Sequence, residues 1–272
     1  MYTSVIKINS NKPIVIIDFS FYIFNRYYAT YKWFSFRNKQ IDHENITEDK
    51  EFLTAIIKHF EADIKKIIKK FKTTTDNMII CMDCPRSEIW RNDIYAEYKA
   101  SRVQKKNFNG AIFKYINDYI TEQKKIKQVI FDRLEADDIV YLLQKEIKNK
   151  VGQEIIIITN DNDYLQLADN NVKIINMQFK DIVQRGLKDR KKDLLLKVIY
   201  GDKSDNIPKI CYGLTKEKAL NLITQSEDEI NKYLVDNKLL EKFNLNMKLV
   251  CLNQIPEELS KKFYEYYNIS II

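Results

Sequence analysis

The feature that most constrains the fold is a set of four short apolar runs, each with a carboxylate at or just beyond its C-terminal end. The runs cover residues 13–18, 77–83, 127–131 and 154–159. Their length and apolar character predict buried strands. Apolar residues between them recur at three- and four-residue steps, most clearly over residues 53–71, which predicts helices.

Strands that alternate with helices predict an α/β fold, in which a parallel sheet is covered on both faces. A weaker run at residues 172–177 predicts one more strand. The functional crevice of such a sheet lies beyond the carboxyl ends of its strands, and Asp18, Asp83, Asp161 and Asp163 fall there. With 272 residues and 45% hydrophobic residues, the chain can bury the core that this fold needs.

Two acidic motifs supply several of the carboxylates expected at this edge. The sequence R-L-E-A-D-D-I-V places Glu135, Asp137 and Asp138 at the start of a predicted helix, and T-N-D-N-D-Y places Asp161 and Asp163 two residues apart after a strand. Each motif alone has a structural alternative, since acids favour helix N-termini and Asx-rich turns often follow strands.

Together with Asp18 and Asp83, these acids predict a metal site. Seven neighbouring carboxylates without cations would have strongly raised pKa values. Ligand sets made only of oxygen suit Mg²⁺ or Mn²⁺ and not zinc. Two such ions, about 4 Å apart, can prepare an attacking water and stabilise the leaving oxygen in displacement at phosphorus.

Composition excludes several other classes of protein. The five glycines are too scattered for a phosphate-binding loop, and two histidines leave little room for a hydrolytic triad. Cys81 and Cys84 form a C-x-x-C pair, but the sequence has no second such pair to complete a zinc site, which favours buried free thiols over zinc. Lys and Arg outnumber Asp and Glu by 45 to 38, which permits a polyanionic partner without requiring one.

We expect no association with membranes. No apolar run approaches the roughly 20 residues needed to cross a bilayer, and residues 1–12 lack the apolar core of a signal peptide. The sequence therefore predicts a cytosolic or nuclear protein.

Beyond about residue 189 the strand signal fades and helical patterns take over. Helices predicted at residues 191–200 and 215–223 flank a turn-like stretch at residues 201–213. We therefore predict a core at residues 1–188 and a helical C-terminal subdomain at residues 189–272, packed as one body.

Six motifs in order resemble the flap endonuclease and 5′-3′ exonuclease family, which includes the 5′-nuclease domain of bacterial DNA polymerase I and small phage nucleases. They are I-I-D-F-S at Asp18, C-M-D at Asp83, I-Y-A-E-Y-K-A-S-R ending at Arg102, L-E-A-D-D, T-N-D-N-D-Y-L-Q-L, and Y-G-D-K-S-D-N-I-P ending at Pro208. They span most of the chain. The resemblance implies a parallel-sheet, PIN-like nuclease core with two Mg²⁺ ions, for which Mn²⁺ can substitute.

The resemblance also divides the acids between two metal sites. The catalytic site mainly takes Asp18, Asp83, Glu135, Asp137 and Asp138. The second site mainly takes Asp161, Asp163, Asp202 and Asp205.

The segment at residues 86–109 corresponds to the family's helical arch, through which single strands pass. Lys99 and Arg102 match positions that contact the scissile phosphate, where cations stabilise transition-state charge. If this segment is a helix, five basic and aromatic residues share one broad face and form a stripe suited to binding nucleic acid: Arg91, Tyr95, Tyr98, Lys99 and Arg102. A solvated amphipathic helix is the alternative.

Tyr22 and Phe24, on the helix after the first strand, are further candidates for stacking on a base.

The motif G-D-K-S-D-N-I-P, with Lys203, Lys216 and Lys218, resembles the family's helix-three-turn-helix, which grips duplex phosphates and can hold K⁺. This chain has Gly213-Leu214-Thr215 where the family commonly has a pair of glycines, so its turn departs from the pattern on which a K⁺ site depends. An ordinary turn is the alternative.

The resemblance predicts a structure-specific 5′ nuclease of replication or repair, acting on branched, flap or 5′-ended DNA or on RNA-DNA hybrids that carry a primer. We expect a monomer without a sliding-clamp motif at residues 261–272, working in the cytoplasm of a host as a phage or viral enzyme, or in the nucleus if eukaryotic. Two alternatives stay open: a PIN-type RNase, and a protein that binds branched DNA without cutting it.

Overall fold

The computed structural model describes residues 4–37, 39, 41–102, 107–124 and 126–272. The strands are β1 (Ser4–Ile8), β2 (Ile14–Asp18), β3 (Met78–Cys81), β4 (Lys127–Val129), β5 (Ile155–Ile158), β6 (Val172–Ile175) and β7 (Tyr267–Ile271). The α-helices are α1 (Phe19–Phe36), α2 (Lys50–Phe71), α3 (Ala111–Tyr119), α4 (Ala136–Lys150), α5 (Arg190–Tyr200), α6 (Lys216–Leu222), α7 (Glu227–Asp236), α8 (Leu240–Val250) and α9 (Glu257–Tyr266).

The centre of the molecule is a parallel five-stranded sheet in the order β4-β3-β2-β5-β6. The middle strands β2, β3 and β5 are buried along their whole length, because helices cover both faces of the sheet. All its pairs are parallel, so the carboxyl ends of the strands meet at one edge. The predicted α/β class, its parallel sheet and its five strands are confirmed.

Two apolar cores lie on the two faces of this sheet. Helices α1, α2 and α3 pack on one face, while α4 packs on the other. The sequence specifies α2 clearly: the carboxylate of Asp49 caps its first turn by accepting a hydrogen bond from the Phe52 amide at 2.9 Å. Its apolar stripe, which includes Phe52, Ile56 and Phe60, is buried against the sheet. Within the described part of the chain, no helix combines the length and the apolarity that a membrane span needs.

The C-terminal part is helical from α5 to α9, but the chain then returns to the core. Strand β7 pairs in parallel with β1 in a separate two-stranded sheet. Phe263, Tyr267 and Ile269 join the core on the α4 side. The predicted helical character of the C-terminal part is confirmed, and strand β7 is an addition that the prediction lacked, because its partner strand lies at the other end of the sequence and leaves no trace in local periodicity.

The segment predicted to form a helical arch contains no α-helix in its described portion, residues 86–102 and 107–109. Short 3₁₀ turns occupy Arg86–Glu88 and Trp90–Asp93, and Lys99 has a left-handed backbone with φ of 56°. The helix predicted there is therefore wrong for these residues. Residues 103–106 of the predicted arch lie outside the described residues.

Candidate metal centre and nucleic-acid interface

A cavity of about 470 Å³ opens at the carboxyl ends of β2, β3 and β5. Five carboxylates line it: Asp18, Asp83, Glu135, Asp137 and Asp161. Asp18 ends β2, Asp83 lies two residues beyond β3, and Asp161 follows β5. Glu135 and Asp137 stand at the start of α4, which runs back over the sheet from this edge. The structure thus brings together five of the seven acids that the sequence placed at this edge.

Hydrogen bonds hold Asp18 and Asp83 in the cavity wall. Asp18 accepts bonds from the Phe21 amide at 3.0 Å and from the Thr159 hydroxyl at 3.0 Å. Asp83 accepts a bond from the Ala136 amide at 2.8 Å and another from the Ser20 hydroxyl. Burial, together with the nearby charge of Asp83, raises the pKa of Asp18 to about 7.

Glu135 differs from the other acids because cations of the protein surround it. It accepts hydrogen bonds from Lys99 Nζ, from the Tyr98 hydroxyl at 3.0 Å and from Arg91 Nη1 at 3.0 Å. Burial raises the pKa of Glu135, but Lys99 and Arg91 outweigh burial and lower it below the ordinary value. Glu135 is therefore a charged carboxylate whose position is fixed from three sides.

Burial outweighs compensation at two other acids of the cavity, Asp137 and Asp161. Burial and the neighbouring charges of Asp138 and Glu135 raise the pKa of Asp137 well above its ordinary value. Burial also raises the pKa of Asp161, although Lys197 opposes that shift. Carboxylates that hold raised pKa values in a shared cavity favour a bound cation, and the donor set of oxygens without histidine or cysteine suits a hard divalent ion such as Mg²⁺ or Mn²⁺.

Asp138 does not line this cavity and is fully buried. One of its oxygens lies within 4.8 Å of oxygens from Glu135 and Asp137. Both Asp138 oxygens, however, already accept hydrogen bonds: Oδ1 from Arg91 Nη2 at 2.7 Å, and Oδ2 from Arg91 Nη1 at 2.8 Å and Trp90 Nε1 at 2.9 Å. Asp138 is thus the partner of a buried arginine and, unlike Glu135, does not line the cavity, which argues against its predicted role as a direct metal ligand.

A second acidic cluster contains Asp163, Asp202 and Asp205, whose oxygens lie within 4.8 Å of one another. Lys197 on α5 forms ion pairs with Asp163 and with Asp202, the latter at 2.6 Å. Burial raises the pKa of Asp202, but Lys197 outweighs burial and lowers it to about 2. A second metal ion would therefore have to displace the Lys197 ammonium. Of the four acids predicted for this site, Asp161 alone lines the first cavity.

The predicted basic and aromatic stripe is not a surface. Arg91 is 1% exposed and Tyr98 is 5% exposed, so both predicted contacts with nucleic acid are wrong for this conformation. Arg91 instead donates to the Leu249 carbonyl at 2.8 Å and to two acids, and Tyr98 donates to Glu135. Tyr95 is half-buried in an apolar cluster between the 3₁₀ turns and α8. The stripe failed because the segment turns instead of continuing as a helix.

Lys99 and Arg102 do reach the cavity. Lys99 Nζ pairs with Glu135 and lies 3.8 Å from Asp205 Oδ2, and Arg102 pairs with Asp205. Burial lowers the pKa of Lys99, but Glu135 outweighs burial and raises it well above its ordinary value, so the amine stays protonated. These two cations connect the first cavity with the second acidic cluster.

The candidate duplex-binding lysines lie on the helical side of this cluster. Lys203, Lys216 and Lys218 are exposed, as a contact with phosphates requires. The turn that carries Lys203 begins at Gly201, whose φ is 78°. A Cβ at this position would stand 2.5 Å from the Ile207 carbonyl oxygen, so the turn admits only glycine there.

Several residues of the site escaped the sequence reasoning. Ser20 ends the motif I-I-D-F-S and Thr159 begins the motif T-N-D-N-D-Y, and these positions at strand ends are the signal that could have identified them. Lys197 carried no signal, because its role depends on the packing of α5 against the turn at residues 162–167. Of the two aromatics considered for stacking, Tyr22 is buried and donates to Asp63, while Phe24 lines the cavity.

Comparison with known proteins identifies relatives across most of the chain. Residues 13–192 match a family model described as the 5′-3′ exonuclease, N-terminal resolvase-like domain. The 5′-3′ exonuclease of Buchnera aphidicola subsp. Schizaphis graminum is 29% identical over 205 residues, which cover 72% of this chain and 65% of that protein. The ribonuclease H of Enterobacteria phage T4 is 25% identical over 247 residues, which cover 82% of this chain and 81% of that protein.

Among solved structures, the chain is similar to the flap endonuclease of bacteriophage T5 in a pseudo-enzyme-product complex with DNA and metal ions. The TM-score is 0.63, with 93% of this chain and 96% of that chain covered at 17% identity. At this identity the likeness shows the fold alone.

Proposed function

This chain belongs to the 5′-3′ exonuclease family, and we propose that it is a structure-specific 5′ nuclease that hydrolyses phosphodiester bonds of flap or 5′-ended DNA with divalent metal ions. The observation that carries the proposal is the cavity at the sheet edge, where five carboxylates face two cationic side chains. A site built only for binding nucleic acid would not concentrate negative charge where phosphates must lie.

Asp18, Asp83, Glu135, Asp137 and Asp161 would hold the ions, which we propose to be Mg²⁺ with Mn²⁺ as a substitute. When bound, such ions supply an activated water and stabilise charge on the leaving oxygen. Cleavage would leave a 5′-phosphate and a 3′-hydroxyl.

The protein itself holds the carboxylates of the cavity in place and supplies positive charge beside them. The protonated Lys99, held by Glu135, presents positive charge to a phosphate that enters the cavity, and Arg102 does so from the side of Asp205. Cations placed in advance stabilise the charge that develops on phosphate oxygens without reorganising during the reaction. Both side chains would exchange part of their carboxylate contacts for the phosphate.

We propose that the helical subdomain holds the duplex next to the cut. The exposed lysines Lys203, Lys216 and Lys218 support this role, since contacts with phosphates are independent of sequence and weaken with salt. A K⁺ ion at the helix-three-turn-helix would add to these contacts. The Lys197 contacts with Asp163 and Asp202 lead us to propose that a second divalent ion enters only together with substrate.

RNA-primed DNA is a second candidate substrate, favoured by the likeness to the phage T4 ribonuclease H. Comparing cleavage of DNA flaps, RNA-DNA hybrids and single-stranded RNA separates a DNA flap nuclease from a PIN-type RNase. We further propose that the protein acts as a monomer, in the cytoplasm of a host if it is a phage or viral enzyme and in the nucleus if it is eukaryotic.

The proposal is tested with a labelled 5′-flap oligonucleotide. Wild-type protein should cut it in Mg²⁺ and not in EDTA, and Asp83→Asn should lose cleavage while binding the flap in Ca²⁺. Asp93→Asn serves as the matched control, because this exposed acid pairs with Arg133 outside the cavity. Cleavage by Asp83→Asn at the wild-type rate would contradict the catalytic role of the cavity, and binding without any metal-dependent product would favour the branched-DNA-binding alternative.

A further inference from the structure

The loop that leads into α6 is held at both ends. Ile210 and Leu214 are buried in the core of the helical subdomain. The Nζ of Lys209 donates to the Leu214 carbonyl at 2.7 Å, which closes the loop across its base. Residues 211–213 therefore form a short tip of fixed position, and Tyr212 stands at its centre.

Tyr212 is open to solvent on all sides. Its exposed fraction is 105%, above that of every other large apolar or aromatic side chain in the described ranges, of which Phe36 comes next at 76%. Gly213, directly after it, has φ of 73°, so the backbone turns sharply at the tip. The ring buries no surface in the free protein, so its burial against a partner would release free energy that folding does not use. A tip already held in place loses little conformational entropy on binding.

Cations flank this tip on both sides in the sequence. Lys203 lies in the preceding turn, and Lys216 and Lys218 lie at the start of α6, four and six residues beyond Tyr212. All three lysines are exposed, and none of them forms an ion pair with another residue that the structure describes. Their charge is therefore available to an anionic partner.

The combination of ring and charges favours nucleic acid over a protein as that partner. A nucleic acid offers phosphates to the lysines and the apolar faces of its sugars and bases to the ring. A protein interface would surround such a ring with further apolar side chains at its core. On the tip, Tyr212 has only Cys211 and Gly213 beside it.

We propose that Tyr212 enters the minor groove of the duplex arm and packs its ring against the sugars there, an inference that rests on the proposed duplex-holding role of the helical subdomain. The minor groove of B-DNA is about 6 Å wide, which admits one ring edge-on and leaves phosphates on both banks for the lysines. The major groove is about 12 Å wide and would leave the ring loose. Sugars recur at every base pair, so the contact adds affinity without selecting sequence.

The ring is tested first by binding of a 5′-flap oligonucleotide in Ca²⁺. Tyr212→Ala should weaken binding about tenfold, the effect of leaving part of one aromatic ring unburied, whereas Tyr212→Phe should stay within about twofold of wild type. The melting temperature of both variants should be unchanged, because the ring contacts nothing in the free protein. Tyr115→Ala, at an exposed tyrosine on α3, is the matched control and should bind as wild type does. Wild-type affinity of Tyr212→Ala would overturn the inference, and so would an equal loss in Tyr212→Phe.

The groove is tested with modified duplex arms. Ethyl groups on N2 of the guanines fill the minor groove, and they should weaken binding of wild-type protein about tenfold while leaving Tyr212→Ala unaffected. Propynyl groups on C5 of the pyrimidines fill the major groove and should change neither protein. Equal losses in both proteins from the minor-groove groups, or a loss from the major-groove groups alone, would contradict the placement of the ring.

Salt dependence separates the ring from the lysines. Each lost phosphate contact lowers the slope of log K against log salt by about 0.9, so the loss in Lys216→Ala should shrink as salt rises. The loss in Tyr212→Ala should be the same factor at every salt concentration, because a ring releases no counterions. If Lys203→Ala and Lys216→Ala weaken binding and Tyr212→Ala does not, the duplex-holding proposal stands and this inference fails. If none of the three weakens binding, both fail, and neither result depends on whether the protein cuts the flap.

Discussion

Replacing Arg91 tests whether this residue stabilises the site from within or contacts nucleic acid from a surface. Its guanidinium is 1% exposed and donates to both oxygens of Asp138, to Glu135 Oε2 and to the Leu249 carbonyl, at distances between 2.7 and 3.0 Å. Arg91→Met would leave Asp138, which is fully buried, without its cation. Breaking a buried ion pair by removing one partner costs about 3–5 kcal/mol.

We therefore expect the free energy of unfolding of Arg91→Met, measured by urea denaturation, to fall by about 3–5 kcal/mol. Arg133→Met is the matched control: its ion pair with Asp93 is exposed, so the loss should stay under about 1 kcal/mol. Adding Asp138→Asn to Arg91→Met should cost less than the sum of the two single changes, because the unpaired charge is then gone. A loss under about 1 kcal/mol for Arg91→Met would refute the buried-pair account and revive the surface stripe.

Two more predictions concern the metal centre and the turn beside it. In the metal-free protein the pKa of Asp18 is raised from 3.8 to about 7. The protonated Asp18 carboxyl therefore contributes stability that is present below pH 4 and is lost as the pH rises to 7. Mg²⁺ should then raise the melting temperature more at pH 8 than at pH 6, and equal shifts at the two pH values would contradict this. Gly201→Ala should lower the free energy of unfolding by about 1–3 kcal/mol, because φ is 78° and the added Cβ meets the Ile207 carbonyl. Gly152→Ala is the control, and because the space around Gly152 is open, its free energy of unfolding should change by less than about 0.5 kcal/mol. Equal effects of the two substitutions in urea denaturation would contradict the strain argument.

The parallel sheet and the convergence of acids could be predicted because both follow from local patterns. A strand of four or five apolar residues that ends in an acid, such as β2 with Asp18, specifies both its burial and the edge at which the acid lies. The same reasoning applies to Asp83 and Asp161, which follow β3 and β5. These residues occupy one cavity because parallel strands end at one edge.

What the sequence did not predict depends on contacts between distant segments. The spacing of Arg91 and Tyr98 fits a helical face, but the backbone turns at these positions, and both side chains pack against the start of α4 and the end of α8. Asp138 was predicted as a ligand because the motif carries three acids. Nothing in the motif tells which of them receives a buried arginine.

Anomalous diffraction from crystals soaked in Mn²⁺ tests the central claim most directly, because it locates the ions independently of activity. We predict at least one ion in the cavity, within about 2.0–2.3 Å of oxygens from Asp83, Glu135 or Asp137, and none bound to Asp138. An absence of anomalous density in this cavity at saturating Mn²⁺, or density only elsewhere on the molecule, would contradict the account.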